Sequence, residues 1–431
     1  MKLIEKCYPY MKESLYYAKL NNGLTVTLLP KTDFNEAYGV LTTEFGALHT
    51  QFKADGKEIV HYPAGIAHFL EHKLFESEED GDVMNQFAKL GASANAYTGF
   101  RQTSYLFSTT QEVLSCLKLL QSFVTKPHFT KENVEREQGI IEQEIEMYQD
   151  DADYRLYMGI LASLYPGTPL AYDIAGTVES ISQITADALY ENYLAFYRPS
   201  NMHMFIVGNF IIEEVWEEII QTQENSVQDS RSFEKLALTH LPILEHQTEH
   251  FEVATSKLAI GLRGNDVISS QEIPRYQVCL QLLFAMLFGW TSKRYQSLYE
   301  DGIIDSSFQF QIEVSPDYHF VVITTDTESP IRLSSLIMKA IHQFENDKDI
   351  NHQQLALLKN EMYGDFIRSL NSLEFTASHF VTQLTDEQTI FDFPEIIQSV
   401  TLEDVFEVGR QFIYNCDMTD FPKFQVEISH P

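Results

Sequence analysis

Apolar and polar positions change period along the chain, and each change marks an element. After Asn22-Gly23 the run Leu24-Thr25-Val26-Thr27-Leu28-Leu29 alternates and stops at Pro30, which predicts a half-buried strand; a second strand is expected over Ala37 to Thr43. Lys131 to Gln149 switches to helical period, with Val134, Ile141, Ile145 and Tyr148 on one stripe of an otherwise acidic segment. Gln221 to Arg231 follows neither period and is rich in polar, turn-forming residues, the mark of a linker. An internal echo spans that linker. Ile184-Thr185-x-Asp187-x-Leu189 precedes a helix and then a strand over Met202 to Val207, while Val400-Thr401-x-x-Asp404-Val405 precedes a helix and then a strand over Phe424 to Ile428. These patterns predict an α+β protein of two related halves, 1–220 and 249–431, joined by a linker over 221–248.

Candidate chemistry concentrates at His68-Phe69-Leu70-Glu71-His72. If this stretch is helical, residues turn by about 100° each, so the two imidazoles sit roughly 40° apart and Glu71 lies about 60° to the other side of His68. Both imidazoles and the carboxylate can then converge on one ion. Zinc accepts neutral imidazole and, in catalytic sites, keeps a position open for water, which a neighbouring glutamate can deprotonate. Two histidines four apart also arise by chance on surface helices, and two alone underfill a zinc site. A third ligand is needed. The helix over Lys131 to Gln149 offers six glutamates. Measured from Ile141, Glu137 and Glu144 fall within about 60° of the apolar stripe, whereas Glu132, Glu135, Glu142 and Glu146 lie about 100–180° away and suit a solvated face. A carboxylate on a buried stripe costs several kcal/mol unless it is paired or binds a metal.

These residues resemble the pitrilysin/insulinase family of inverted-motif zinc peptidases, in particular its small two-domain, processing-peptidase-like bacterial members. The resemblance runs nearly the whole length. It rests on His68-x-x-Glu71-His72, on Glu137-x6-Glu144, on Gly91 to Thr98 (GASANAYT), similar to the edge strand that receives substrate, and on Pro166 to Gly176, similar to the loop after the third-ligand helix. It implies Zn2+ held by His68, His72 and Glu144, with Glu71 as general base and Glu137 as a supporting catalytic residue behind the ligands. It further implies two α/β-sandwich-type halves facing each other across a chamber. A peptide substrate would lie extended along Asn95, Ala96 and Tyr97. Glu144 follows His72 by 72 residues, slightly less than is usual in the family, so a short loop deletion between them is implied.

The second half has no zinc motif and departs from the family elsewhere. An arginine and, six or seven residues later, a tyrosine normally hold the scissile carbonyl from this half. Tyr299 and Asp305 stand at those positions, with Arg294 and Tyr295 one turn earlier. A homologous partner chain supplying the missing pair is therefore expected, as a heterodimer, with a homodimer as the other assembly.

Composition narrows the setting. With 431 residues, 44% of them hydrophobic, the chain can bury two full cores. Cys7, Cys116, Cys279 and Cys416 are too scattered for a disulfide framework and fit a reducing cytoplasm. Neither a signal-type apolar core near the start nor a stretch of about 18 apolar residues is found, so export and membrane spanning are not expected. A formal charge of −32 argues against nucleic acid and anionic membrane as partners. The expected activity is zinc-dependent peptide hydrolysis; the other readings are a peptide-binding or scaffolding subunit with little activity, and a zinc amidase acting on small molecules.

Overall fold

The computed structural model of the chain describes residues 2–54, 58–77, 81–223, 233–382 and 388–425. They gather into two compact units, neither of them one continuous stretch. The first takes the residues up to Glu146, Tyr172–Leu236 and the segment from Ser369; the second takes Met147–Ala171, Ala237–Arg368 and the C-terminal segment. The principal strands are β1 (Ile4–Cys7), β2 (Ser14–Lys19), β3 (Thr25–Pro30), β4 (Ala37–Thr43), β5 (Ala92–Thr98), β6 (Thr103–Thr109), β7 (Met202–Gly208), β8 (Glu249–Phe251), β9 (Lys257–Arg263), β10 (Gln309–Val314), β11 (His319–Asp326) and β12 (Asp417–Gln425). The principal helices are α1 (Ile66–Leu74), α2 (Val83–Lys89), α3 (Val113–Val124), α4 (Lys131–Gln149), α5 (Ala152–Leu164), α6 (Ala186–Phe196), α7 (Ile273–Phe288), α8 (Lys293–Glu300), α9 (Leu373–Thr382) and α10 (Leu402–Ile413).

The first unit carries a seven-stranded sheet in the order β1-β2-β3-β7-β4-β6-β5, antiparallel except for the β3–β7 pair. All seven residues of β7 are buried, so both sheet faces are covered there. Period two sorts them: Met204 and Ile206 join the core with Phe69 and Leu70 of α1, Phe87 of α2 and Leu117 of α3, while Phe205 stacks on Phe380 of α9 with ring centroids 4.3 Å apart. α9 comes from the second half of the sequence yet covers the first sheet.

The second unit has a five-stranded sheet in the order β8-β12-β9-β11-β10. Its core joins Ile260 and Leu262 of β9 to Leu283 and Leu287 of α7 and Phe412 of α10. The other face is covered by α5, a segment of the first half. Gly261 makes this possible, since a Cβ there would come within 2.8 Å of Ile160 and Leu164.

The expected α+β class and its two halves are present, with some boundaries moved. β4 occupies Ala37–Thr43, and β3 runs through Pro30. The strand expected over Phe424 to Ile428 begins earlier, at Asp417, and residues 426–428 lie outside the described residues. Pro422 made the earlier start hard to read. It pairs with Leu258 of β9 one residue before β8 joins β12 at Lys423, so only one side of the strand has a neighbour at the proline. Thr185 and Thr401, the matching threonines of the internal echo, are N-caps of α6 and α10, so each helix starts within the motif and not after it. Of the linker over Gln221 to Arg231, the first three residues end a helix (Ile212–Gln223) and 224–231 lie outside the described residues; Phe233–Lys235 then pairs with Gln51–Ala54.

Candidate active site

α1 is buried nearly all round. Of its nine residues only His68 and His72 are not buried, so the two imidazoles occupy its one accessible stripe. Its start is fixed by two glycines. Gly65 takes φ +88 as N-cap, and a Cβ on it would lie 2.3 Å from the carbonyl oxygen of Ala175; Gly176, at φ +85, would in turn press on the carbonyl of Ala64. The end of the Pro166 to Gly176 loop thus clamps the helix entry. That loop follows α5 and not, as expected, α4.

α4 presents its glutamates as helical phase predicts: Glu137 and Glu144 are half-buried, and Glu132, Glu135, Glu142 and Glu146 are exposed. Glu144 Oε1 lies 3.7 Å from His68 Nε2, and Glu144 Oε2 lies 3.5 Å from His72 Nε2. One ligand atom from each of the three can be chosen so that all lie within 4.8 Å of one another. Zinc with ligands at about 2.0 Å in a tetrahedron separates them by about 3.3 Å, so this donor set fits such an ion with little adjustment. Glu137 stands behind, its Oε1 3.0 Å from His72 Nδ1, which directs His72 Nε2 toward Glu144.

Electrostatics favour the same arrangement. Burial, helped by the neighbouring His72 charge, pulls His68 down to about 3, leaving it neutral as a ligand must be. Burial also opposes charge on His72, but the Glu137 hydrogen bond and three carboxylates outweigh it and raise its pKa. Carboxylates that attract a proton to His72 attract a divalent cation equally well. Burial raises Glu137, yet its bond to His72 and the charge of Lys73 prevail and hold it below the usual range.

Glu71 takes no part in this ligand set. It is buried, and Thr98 Oγ1 of β5 donates to its Oε2 at 2.5 Å. Burial pushes Glu71 up to about 7, with the Thr98 bond opposing. A carboxyl poised near neutrality can both accept and return a proton.

β5 is an edge strand of the sheet. Gly99 N donates to Gln102 O at 2.8 Å, and the β5–β6 register alternates from there. Ala92, Ala94, Ala96 and Thr98 therefore turn their N–H and C=O groups to the open edge. Ala96 shares the α1-facing side of the sheet with Thr98, whereas Asn95 and Tyr97 project from the opposite side. Asn95 Oδ1 accepts from Ala96 N at 2.9 Å, and the Tyr97 hydroxyl is buried without a hydrogen-bond partner among the described residues. The structure brings His68, His72, Glu71, Glu137 and Glu144 together; of Asn95, Ala96 and Tyr97, Ala96 alone lies on the α1-facing side of the sheet.

Sequence reasoning missed Thr98 and Lys73. Thr98 lies in the quoted strand segment, and its parity with Ala96 was a usable signal. Lys73 directly follows the motif, and its side chain is 0% exposed, paired with Glu76 and 3.6 Å from Glu137 Oε2. In the second unit, Arg294 is held by Asp347 and by the Leu287 carbonyl, and Tyr299 is exposed and stacked on Tyr295.

Comparison with known proteins converges on one family. Residues 60–178 match the model for Insulinase (Peptidase family M16), and residues 183–362 the model for the Peptidase M16 inactive domain. The Uncharacterized zinc protease YmfH of Bacillus subtilis is 40% identical over 415 residues, 94% of this chain and 95% of that protein. An uncharacterized zinc protease of Rickettsia felis is 26% identical over 93% of this chain and 95% of its own length. The crystal structure of a protein described as an M16-like peptidase from Alicyclobacillus acidocaldarius superposes with a TM-score of 0.91 at 31% identity, covering 96% of this chain and 99% of that one.

Proposed function

This chain belongs to the insulinase family of peptidases, family M16, and from that premise we propose that it is a zinc metalloendopeptidase that hydrolyses peptides bound in extended form. The observation that carries the reading is the convergence of His68, His72 and Glu144 beside a buried glutamate that is not one of them. His68, His72 and Glu144 would hold Zn2+, with Glu137 orienting His72. When bound, zinc supplies a Lewis acid for water activation and carbonyl polarisation.

The remaining work falls to the chain. Glu71 takes a proton from the attacking water at its carboxylate and returns it to the leaving amine, with Thr98 fixing the carboxylate's orientation. The open edge of β5 accepts the substrate backbone as an added strand, Ala94 and Ala96 offering their N–H and C=O groups along that edge. Asn95 and Tyr97, on the other side, act through that strand and not at the reacting bond; the Asn95 amide releases Ala96 N when substrate binds. Four free cysteines support a reducing, cytoplasmic setting, and among the described residues no helix is long and apolar enough to cross a membrane.

Full activity is proposed to need a homologous partner chain. Tyr299 and Asp305 occupy the places of the family's carbonyl-holding pair, and Arg294 is committed to Asp347. A missing preorganised donor costs about 2.7–4 kcal/mol, roughly 10²–10³ in rate. The test is zinc content and cleavage of an unstructured peptide by the purified chain, alone and with a homologous chain from the same cell. About one zinc per chain and slow cleavage accelerated by the partner is the expected result. Absence of zinc would overturn the reading; full activity alone would overturn the partner requirement.

A further inference from the structure

We propose that Lys73 is a positioning residue of the metal site: it holds Glu137 in place, and Glu137 holds His72. The proposal rests on the zinc reading above. Lys73 lies in α1 directly after His72, and its side chain is 0% exposed. A buried ammonium is costly without carboxylate partners, and an apolar side chain would fill the same space at no such cost. The partners of Lys73 explain it. Glu137 Oε2 lies 3.6 Å from Lys73 Nζ, while Glu137 Oε1 is the atom that bonds His72 Nδ1 at 3.0 Å. One carboxylate therefore bridges the lysine and the ligand. On its other side Lys73 pairs with Glu76, which is also paired with Arg136. Arg136 is more than half exposed and supplies its own charge to Glu76, so Glu76 does not require a buried lysine.

A lysine serving only to fasten the chain after α1 would engage Glu76 and leave zinc untouched. The two roles make different predictions.

The test compares Lys73→Met, Glu137→Gln and the double variant by chelator competition for zinc, and by the visible band of the cobalt-loaded proteins. Each single change should weaken zinc binding roughly 10–100-fold, as loss of an outer hydrogen-bond partner of a ligand does. Because both act through His72, the double variant should lose no more than the weaker-binding single variant, and Lys73→Met should shift the cobalt band in the same direction as Glu137→Gln. Wild-type affinity for Lys73→Met, or losses that multiply in the double variant, would overturn the proposal. If circular dichroism shows Lys73→Met unfolded, Glu76→Gln decides. It leaves Lys73 with Glu137 alone, so tighter zinc binding supports the proposal, and wild-type or weaker binding contradicts it. A wild-type chain that binds no zinc would overturn the metal reading and this inference with it.

Discussion

At the scale of single residues, helical phase separates ligand from bystander. Glu142, Glu144 and Glu146 lie within one turn and a half of α4, yet Glu144 alone turns toward His68 and His72. Glu144→Gln should therefore lose zinc by more than the roughly 10–100-fold that an outer partner is worth, while Glu142→Gln and Glu146→Gln bind as wild type in the same chelator titration. Loss of metal from Glu142→Gln would mean the helix is rotated from the position described. A second residue-scale prediction concerns His203 of β7, buried against Phe380 with Nε2 2.9 Å from Thr27 Oγ1. Burial pulls it down to about 3 from the ordinary 6.5. A folded pKa below the unfolded one means the unfolded chain binds the extra proton. The stabilising term is whole above pH 6.5 and fades as pH falls toward 3, by up to about 1.4 kcal/mol per pH unit. Denaturant titrations between pH 7 and 4 should show a shallower fall for His203→Gln than for wild type; parallel curves would contradict it.

At the scale of elements, the open edge of β5 is the feature on which substrate binding turns. Ala94→Pro removes an N–H that points to the edge, not into the ladder, so the fold should hold while KM rises roughly 3–10-fold, the worth of one hydrogen bond of about 0.5–1.5 kcal/mol, with kcat nearly unchanged. Ser93→Pro serves as the contrast, because by the same alternation the Ser93 N–H points into the ladder toward Ser108 and its loss should lower Tm. Equal KM for Ala94→Pro and wild type would show that peptides do not add to this strand. Much at this scale was legible from sequence. The alternation of Leu24 to Leu29 and the stripe of Val134, Ile141 and Ile145 carry their own periods, so β3 and the phase of α4 follow from local pattern. Parity with Ala96 gives the side of the sheet that Thr98 faces, but not that Glu71 meets it there, and nothing local gives the role of Lys73, because both depend on which residue a neighbouring element places against them.

At the scale of the whole molecule, neither sheet is completed by its own half of the sequence. α9 covers the β4–β7 face of the first sheet, and α5 covers the β9–β12 face of the second. Amphipathic pattern can mark a helix but does not say which sheet receives it, so this exchange was not legible in the sequence. A fragment of residues 1–223 would leave Phe205, 0% exposed in the intact chain, facing water. That fragment should lack a cooperative thermal transition, and one melting like the intact protein would contradict the exchange. The central claim, that Glu71 is the base of a zinc site held by His68, His72 and Glu144, is tested most directly by Glu71→Gln, measured for zinc and for peptide cleavage in the same preparation, with the partner chain present. The account predicts about one zinc per chain and a loss of turnover of at least roughly 10²-fold, the usual worth of a general base. Zinc retained together with near-wild-type cleavage would contradict it.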